Sequence, residues 1–258
     1  MINQKTLGIR IRFFRNRSNI SQLNLENEIG MSAGSLSRIE SGGINPTKET
    51  IIKIAKILNL TSYEIQYLIG PLAEEATIEE IQEVRKVIEP YLKKRRTLAY
   101  IVDDRSRLID VSNDFLRLGN LDISIYKKKI LGEYLPRIIL DESFGINQFF
   151  DKNKLKEIIY YSFARTYDEL NFMDDDIHLK KILEIVNSNS IAKEAWEEFS
   201  RNKKTLIQSE KTRTVTFNIK GLIVPLKYSI ETLWFNPKFK ILEYAPTNIV
   251  HKLFMRLT

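Results

Sequence analysis

Between Ser21 and Ser41, two short runs with helical spacing of apolar residues, QLNLENEI and SAGSLSRIE, are separated only by the break Gly30-Met31-Ser32. Helices of one to three turns are marginal alone, so such a pair must close against further helices to bury its apolar stripe. The flanking sequence supplies them. Leu7, Ile11 and Phe14 mark the inward stripe of a helix before the pair. After it, Pro46 falls near the start of a fourth helix with Ile51, Ile54, Ala55 and Leu58 on one face. Thr61-Ser62 cap a fifth that ends at Gly70-Pro71. Residues 1–70 are therefore expected to form a compact all-α domain of five helices, with Ser21 as the N-cap of the second.

The residue inventory removes whole classes of chemistry. The chain of 258 residues has no cysteine, which excludes disulfides, thiolate metal sites and cysteine nucleophiles. Its two histidines, His178 and His251, lie far apart in sequence, so an imidazole metal cage or a catalytic triad is hard to assemble. The acidic run Asp174-Asp175-Asp176 beside His178 reads as a solvated turn, because consecutive carboxylates diverge on a helix. No cofactor, no metal and no enzymatic activity are expected. The net charge of +7 biases the partners towards polyanions. Residues 1–70 hold nine Lys and Arg against five acids, more than half of that surplus.

Residues 71–96 are acidic first and basic last, with Ile78, Ile81, Val84 and Ile88 at helical spacing, and are expected to be a linker helix that Pro90 interrupts or kinks. From residue 97 the pattern becomes α+β. Ala99–Val102 and Leu108–Val111 are strand candidates joined by a DDRSR turn, and a helix starts at Asn113. Residues 137–208 are largely helical, and RTVTFNI, LIVPLKYSIETLWF and FKILEYA form a closing antiparallel meander. Pro225 predicts an edge position or bulge within it. The expected architecture is two domains joined by the linker helix, the second (97–258) an antiparallel sheet covered by helices.

Two short helices joined by a tight Gly-containing turn inside a helical unit are the pattern of a helix-turn-helix. The stretches LGIRIRFFR and ISQLNLENEIGMSAGSLSRIESGGINPTKETIIKIAKIL resemble the phage-repressor-like (Cro/C1, or XRE) DNA-binding domain, notably in S-Q, the turn glycine, L-S-R-I-E-S-G and N-P-x-x-x-T. The resemblance covers about the first 70 residues and implies a fold that holds Glu40 and Arg15 as an ion pair between the third and first helices. It also implies double-stranded DNA as partner, with Gln22, Asn45, Thr47 and Lys48 on phosphates and Arg10 and Arg17 as basic support. The third helix would read bases through Ser32, Ala33, Gly34, Ser35, Ser37 and Arg38. Only Arg38 has the fork to grip guanine O6 and N7. One such motif reads few base pairs, so a homodimer on a palindromic operator is expected.

The region from about 97 to 247 resembles the ligand-binding domain of MmyB-like transcription regulators, with an opening, TLAYIVDDRSRLIDVSNDFLRL, similar to a PAS-like sensor. The resemblance rests on the order of elements: two strands leading to an asparagine, RIILD, a helix pair with an arginine and then a tryptophan, and a last strand ending in A-P-T. It departs from the family pattern after Trp196, where WEEFSRNKK carries no histidine. It implies an apolar, fatty-acid-like effector. Candidate lining residues are Phe115, Leu116, Tyr134, Ile138, Phe163, Trp196, Phe199, Tyr228 and Trp234, with Asn113, Arg137 and Arg165 as head-group anchors. The competing expectation is a DNA-binding protein whose C-terminal domain serves protein interaction or oligomerisation, without a small-molecule ligand. No apolar window of about 18 residues is present, so the protein is expected to be cytoplasmic, with no membrane insertion.

Overall fold

A computed structural model describes residues 4–69, 75–94, 98–118, 122–150, 152–170, 176–201, 212–219 and 221–248. The chain divides into two compact units, Met1–Glu74 and Glu75–Thr258. His251, Asp174 and Asp175 lie outside the described residues.

Five helices make up the first unit among the described residues: α1 (Gln4–Arg17), α2 (Gln22–Ile29), α3 (Ser35–Glu40), α4 (Lys48–Ile57) and α5 (Ser62–Ile69). Ile11, Phe14, Leu25, Leu36, Ile54 and Leu68 are fully buried and form its core. The boundaries have local chemical causes. Ser21 Oγ accepts the Asn24 N–H, as an N-cap does, and Gly30 closes α2 in the left-handed region at φ 80°. Thr47 caps α4 by accepting from Thr50 N–H, and Thr61 and Glu64 form a reciprocal capping box at α5. The third helix is shorter than its apolar pattern suggested. It starts at Ser35, not Ser32, because Gly34 also adopts φ 80° and serves as the residue before the helix. Gly34 therefore imposes no penalty on a helix interior; it permits the turn.

The second unit begins with α6 (Ile78–Lys94), followed by β1 (Leu98–Asp103), β2 (Leu108–Val111), α7 (Asn113–Leu118), α8 (Ile123–Ile130) and α9 (Leu135–Leu140). Then come two 3-10 turns, Glu142–Phe144 and Ile146–Phe149, followed by α10 (Lys152–Leu170), α11 (Ile177–Asn187) and α12 (Ser190–Arg201). The chain closes through β3 (Thr212–Ile219), β4 (Leu222–Thr232) and β5 (Phe239–Pro246). The strands form one antiparallel sheet in the order β2-β1-β5-β4-β3, with α7 to α12 inserted between β2 and β3. This is the α+β, PAS-like order that the sequence pattern predicts. Pro225 sits inside β4, yet β5 pairs only from Leu226 onward, so the proline occupies a stretch that β3 alone accompanies.

Side chains alternate across the sheet, and each face has its own cover. Ala99, Ile101, Phe239 and Ile241 point to one side and pack with Val84, Ile88 and Leu92 of α6. The helix expected as a connector is thus a layer of the second unit. It runs through Pro90, which lies on its exposed side. Thr77 and Glu80 cap it reciprocally, and Arg85 Nε donates to Ile109 O at 2.9 Å. On the opposite face Tyr100, Lys240, Leu242, Tyr244 and Tyr228 are in register, and α7 and α10 lie over them. The meander turns earlier than its hydrophobicity suggested, because β4 stops at Thr232 and Leu233–Asn236 form a turn.

Candidate nucleic-acid interface and the interior of the second unit

Two buried carboxylates set the geometry of α2 and α3. Glu26 lies on the inward side of α2 and accepts Leu36 N–H at 2.7 Å and Gly34 N–H at 3.2 Å. It thereby satisfies free donors at the start of α3, where a negative charge also meets the positive end of the helix dipole. Glu40, at the other end of α3, receives Arg15 through Nε at 2.6 Å and Nη2 at 3.0 Å, Gln22 Nε2 at 2.7 Å and Arg12 Nε at 3.3 Å. Burial opposes its charge, but Arg15, Gln22 and Arg12 outweigh that and hold its pKa below the usual carboxylate range. The Arg15–Glu40 pair implied by the sequence resemblance is present. Arg12 and Glu26 were not singled out in the sequence; an acid between the buried Leu25 and Ile29 was the available signal.

Close approach of α1 completes the support. A Cβ on Gly8 would lie 2.3 Å from Ile39 O and 2.9 Å from Glu40 O, so only glycine lets α1 lie against the end of α3. With both ends of α3 pinned, its other side is displayed. Ser32, Ala33, Gly34, Ser37 and Arg38 are exposed, and Arg38 carries no ion pair among the described residues. Ser35 is the exception to the expected list: it is buried, and its hydroxyl lies 3.0 Å from that of Ser32.

The phosphate candidates divide. Asn45 and Lys48 are exposed, while Thr47 is engaged as the α4 cap, its hydroxyl 2.9 Å from Thr50 Oγ1. Gln22 donates one side-chain proton to Glu40 and keeps its second N–H, while the Asn24 backbone N–H in the first turn of α2 is already taken by the Ser21 cap. Arg10 and Arg17 are structural. Arg10 is buried, donates to Tyr67 O at 3.0 Å and stacks 4.4 Å from that ring; Arg17 pairs with Glu64 at 2.5 Å. Their forks had nearer partners than solvent. Arg38, Lys48 and Lys56 are exposed and carry no ion pair among the described residues.

In the second unit the named residues sort into separate places. Phe115 and Tyr228 lie in the interior, joined by an aromatic chain: Phe115 meets Tyr100, Phe217 and Tyr244, and Tyr228 lies 5.4 Å from Tyr244. Arg165 reaches this wall from α10 and donates through Nη1 to Tyr228 Oη at 3.2 Å. Burial disfavours its charge, yet Tyr228, Tyr100 and Glu169 raise its pKa above the ordinary arginine value. Leu116 and Ile138 are buried core, and Asn113 is the half-buried first residue of α7, with Ser112 as the cap beside it. Phe163, Trp196 and Phe199 instead pack α10 against α12, where Tyr160 lies 4.6 Å from Phe199 and Tyr167 lies 4.9 Å from Trp196.

Three candidates fall outside the interior. Arg137 is exposed and paired with Glu133 at 3.1 Å one helical turn away. Trp234 is 92% exposed in the β4–β5 turn, because β4 ends two residues before it. Tyr134 donates to or accepts from His178 Nδ1 at 2.7 Å, and His178 Nε2 lies 2.6 Å from Glu75. That histidine belongs to a polar cluster in which Asp176 caps α11 and accepts from Arg105 Nε at 2.9 Å, and Arg107 pairs with Asp103 at 2.6 Å. The interior residues that went unnamed, Tyr100, Lys240 and Tyr244, share one strand face with the named ones. Strand alternation marked that face; the pairing of β1 with β5 across the chain did not show in it.

A helix-turn-helix family model matches residues 11–65, which spans α2 and α3 and the elements that pin them. Among curated proteins none matches the chain. No helix among the described residues is long and apolar enough to cross a membrane. Residues 11–65 thus carry the helix-turn-helix of XRE-type DNA-binding transcription regulators, and the five-stranded α+β unit follows it in the chain.

Proposed function

We propose that the protein is a sequence-specific transcription regulator of the cytoplasm that binds a palindromic operator as a homodimer and is modulated by a small molecule held in its second unit. The observation that carries the DNA-binding part is the displayed side of α3, with Ala33, Gly34, Ser37 and Arg38 exposed and Glu26 and Glu40 holding the helix from behind. Arg38 grips a guanine edge, Ala33 meets a thymine methyl, and Ser32 and Ser37 bond base or phosphate. Asn45, Thr47, Lys48 and Gln22 hold the backbone on either side. Ser35, being buried, supports the turn.

The effector is an acid with an apolar body. Arg165 anchors its carboxylate, and Phe115 and Tyr228 belong to the wall its body meets. Ligand alters operator binding only through different affinities for two arrangements of the protein, with a tenfold change in operator affinity corresponding to about 1.4 kcal/mol. Selection from random duplexes with the full chain tests the first part: a two-fold symmetric site with half-sites about 34 Å apart is expected, and no enrichment would refute it. A native mass measurement of the purified protein tests the rest, by the mass of a dimer and of a co-purified acid.

A further inference from the structure

The structure assigns to the inner face of α10 a head-group site for a small carboxylic acid that carries a second polar group, an amine or hydroxyl, beside its carboxylate. The inference rests on reading the interior as a ligand site and adds what the head of that ligand must be. Ser162, Arg165 and Glu169 follow one another at three- and four-residue spacing, on one side of the helix. Each holds buried polar atoms without a hydrogen-bond partner among the described residues: Ser162 Oγ, Arg165 Nε and Nη2, and Glu169 Oε2. Buried polar atoms in folded proteins are almost always partnered, and four of the six orphans among the described residues gather on this helix face, the other two being Asp104 Oδ1 and Arg107 Nη2.

The orphan atoms specify complementary chemistry. Tyr228 occupies Arg165 Nη1, which leaves the Nε–Nη2 edge, two parallel N–H donors matched to the two oxygens of a carboxylate. Lys240 Nζ donates to Glu169 Oε1, so the cations Arg165 and Lys240 share one carboxylate. A carboxylate on the Nε–Nη2 edge gives Arg165 an anionic partner of its own inside the fold. Glu169 Oε2 is an acceptor only, and it lies one helical turn from the arginine. A plain fatty acid would satisfy Arg165 and leave this oxygen orphaned. An amino or hydroxy acid satisfies both, with Ser162 Oγ within the same face. Beyond the head, Tyr228, Tyr244 and Phe217 follow at ring separations of 5.4 and 5.0 Å, which suits an aromatic or branched apolar body.

Calorimetric titration of the full chain, stripped of small molecules on a hydrophobic resin, tests this with probes on one skeleton. These are L-phenylalanine, 3-phenylpropionate and 2-phenylethylamine, with decanoate as the plain fatty acid. Phenylalanine is expected to bind at least about tenfold more tightly than 3-phenylpropionate, since a site with a buried polar group discriminates against a ligand that leaves it unpaired. The amine alone gives no binding. Glu169→Gln abolishes the preference for phenylalanine over 3-phenylpropionate. Arg165→Lys, which keeps the charge and loses the fork, weakens both acids. Melting of each ligand-free variant verifies that it folds. If decanoate and 3-phenylpropionate bind as tightly as phenylalanine and ignore Glu169→Gln, the second polar group is refuted while an acid-binding interior stands. If no probe binds the folded protein, both readings fall.

Discussion

The two units treat buried charge in opposite ways. Around Glu40, 1% exposed, the carboxylate oxygens are engaged by Arg15, Gln22 and Arg12, and among the described residues no buried side-chain polar atom of that network is left without a partner. In the second unit Arg165, Glu169 and Asp104 each keep at least one buried polar atom without a partner among the described residues. A closed network fixes a shape and leaves function to the outer surface, as on α3. An open one holds binding capacity inside the fold, because an unpaired buried donor or acceptor gains most when a ligand satisfies it.

Removing the carboxylate of the closed network should have the largest effect. Glu40→Ala leaves Arg15 without its partner and is expected to cost about 3–5 kcal/mol in urea unfolding; a loss below about 1 kcal/mol would show that the network does not tie α3 to α1. Gly8→Ala probes the same junction sterically. A Cβ placed 2.3 Å from Ile39 O forces α1 away from α3, with an expected cost of about 1–3 kcal/mol and weaker DNA binding in the same preparation. Arg38→Ala leaves the scaffold untouched. It should cost about 1–3 kcal/mol of discrimination at one base pair per half-site, with the melting temperature unchanged. Equal loss on all sequences would assign Arg38 to phosphate.

Titration separates the units by sign. Glu40 has a depressed pKa in the folded state, so its stabilisation is present above the ordinary carboxylate value of 4.5 and is lost as pH falls through the folded value. Asp104 is raised to about 7, first by burial and further by Asp103, against the pull of Arg105, Lys238 and Lys240. Its contribution is therefore full below its unfolded value of 3.8 and is lost as pH rises through about 7. Asp104→Asn should raise the melting temperature of the second unit at pH 8 by about 2–4 °C and leave it unchanged near pH 4. A stabilisation of equal size at both pH values would remove the titration as its cause. The smallest effect is expected of Trp234→Ser: at 92% exposure it should alter stability by less than about 0.5 kcal/mol and leave ligand titration unchanged.

Legibility in the sequence followed the range of the interaction. The limits of α2 were readable because Ser21 and Gly30 act within a few residues of themselves. The end of β4 was not, since the apolar Leu233, Trp234 and Phe235 follow Thr232 directly while the chain already turns there, with Asn236 N–H bonded to Leu233 O at 3.2 Å and its side chain reaching Glu80 of α6 at 3.4 Å. Helix α8 escaped notice because ISIYKKKI is short and three of its eight residues are lysine. Among the site residues, the exposure of Arg38 was legible because it lies between the buried Leu36 and Ile39 on α3, whereas Ala33 lies in the turn before that helix. Arg10, Arg17, Arg137 and Trp234 went elsewhere because a charge or a ring looks the same in sequence whether it faces a ligand, a neighbour or water.

The sequence alone determined the five short helices at the start, the helix-turn-helix among them and the α+β order that follows, because caps, turn glycines and apolar periods act over a few residues. The tertiary structure alone decided which charges are closed off and which stay open. Glu40 meets Arg15 across 25 positions and Lys240 meets Glu169 across 71. Pairings at such separation are set by how elements pack, and no local pattern carries them.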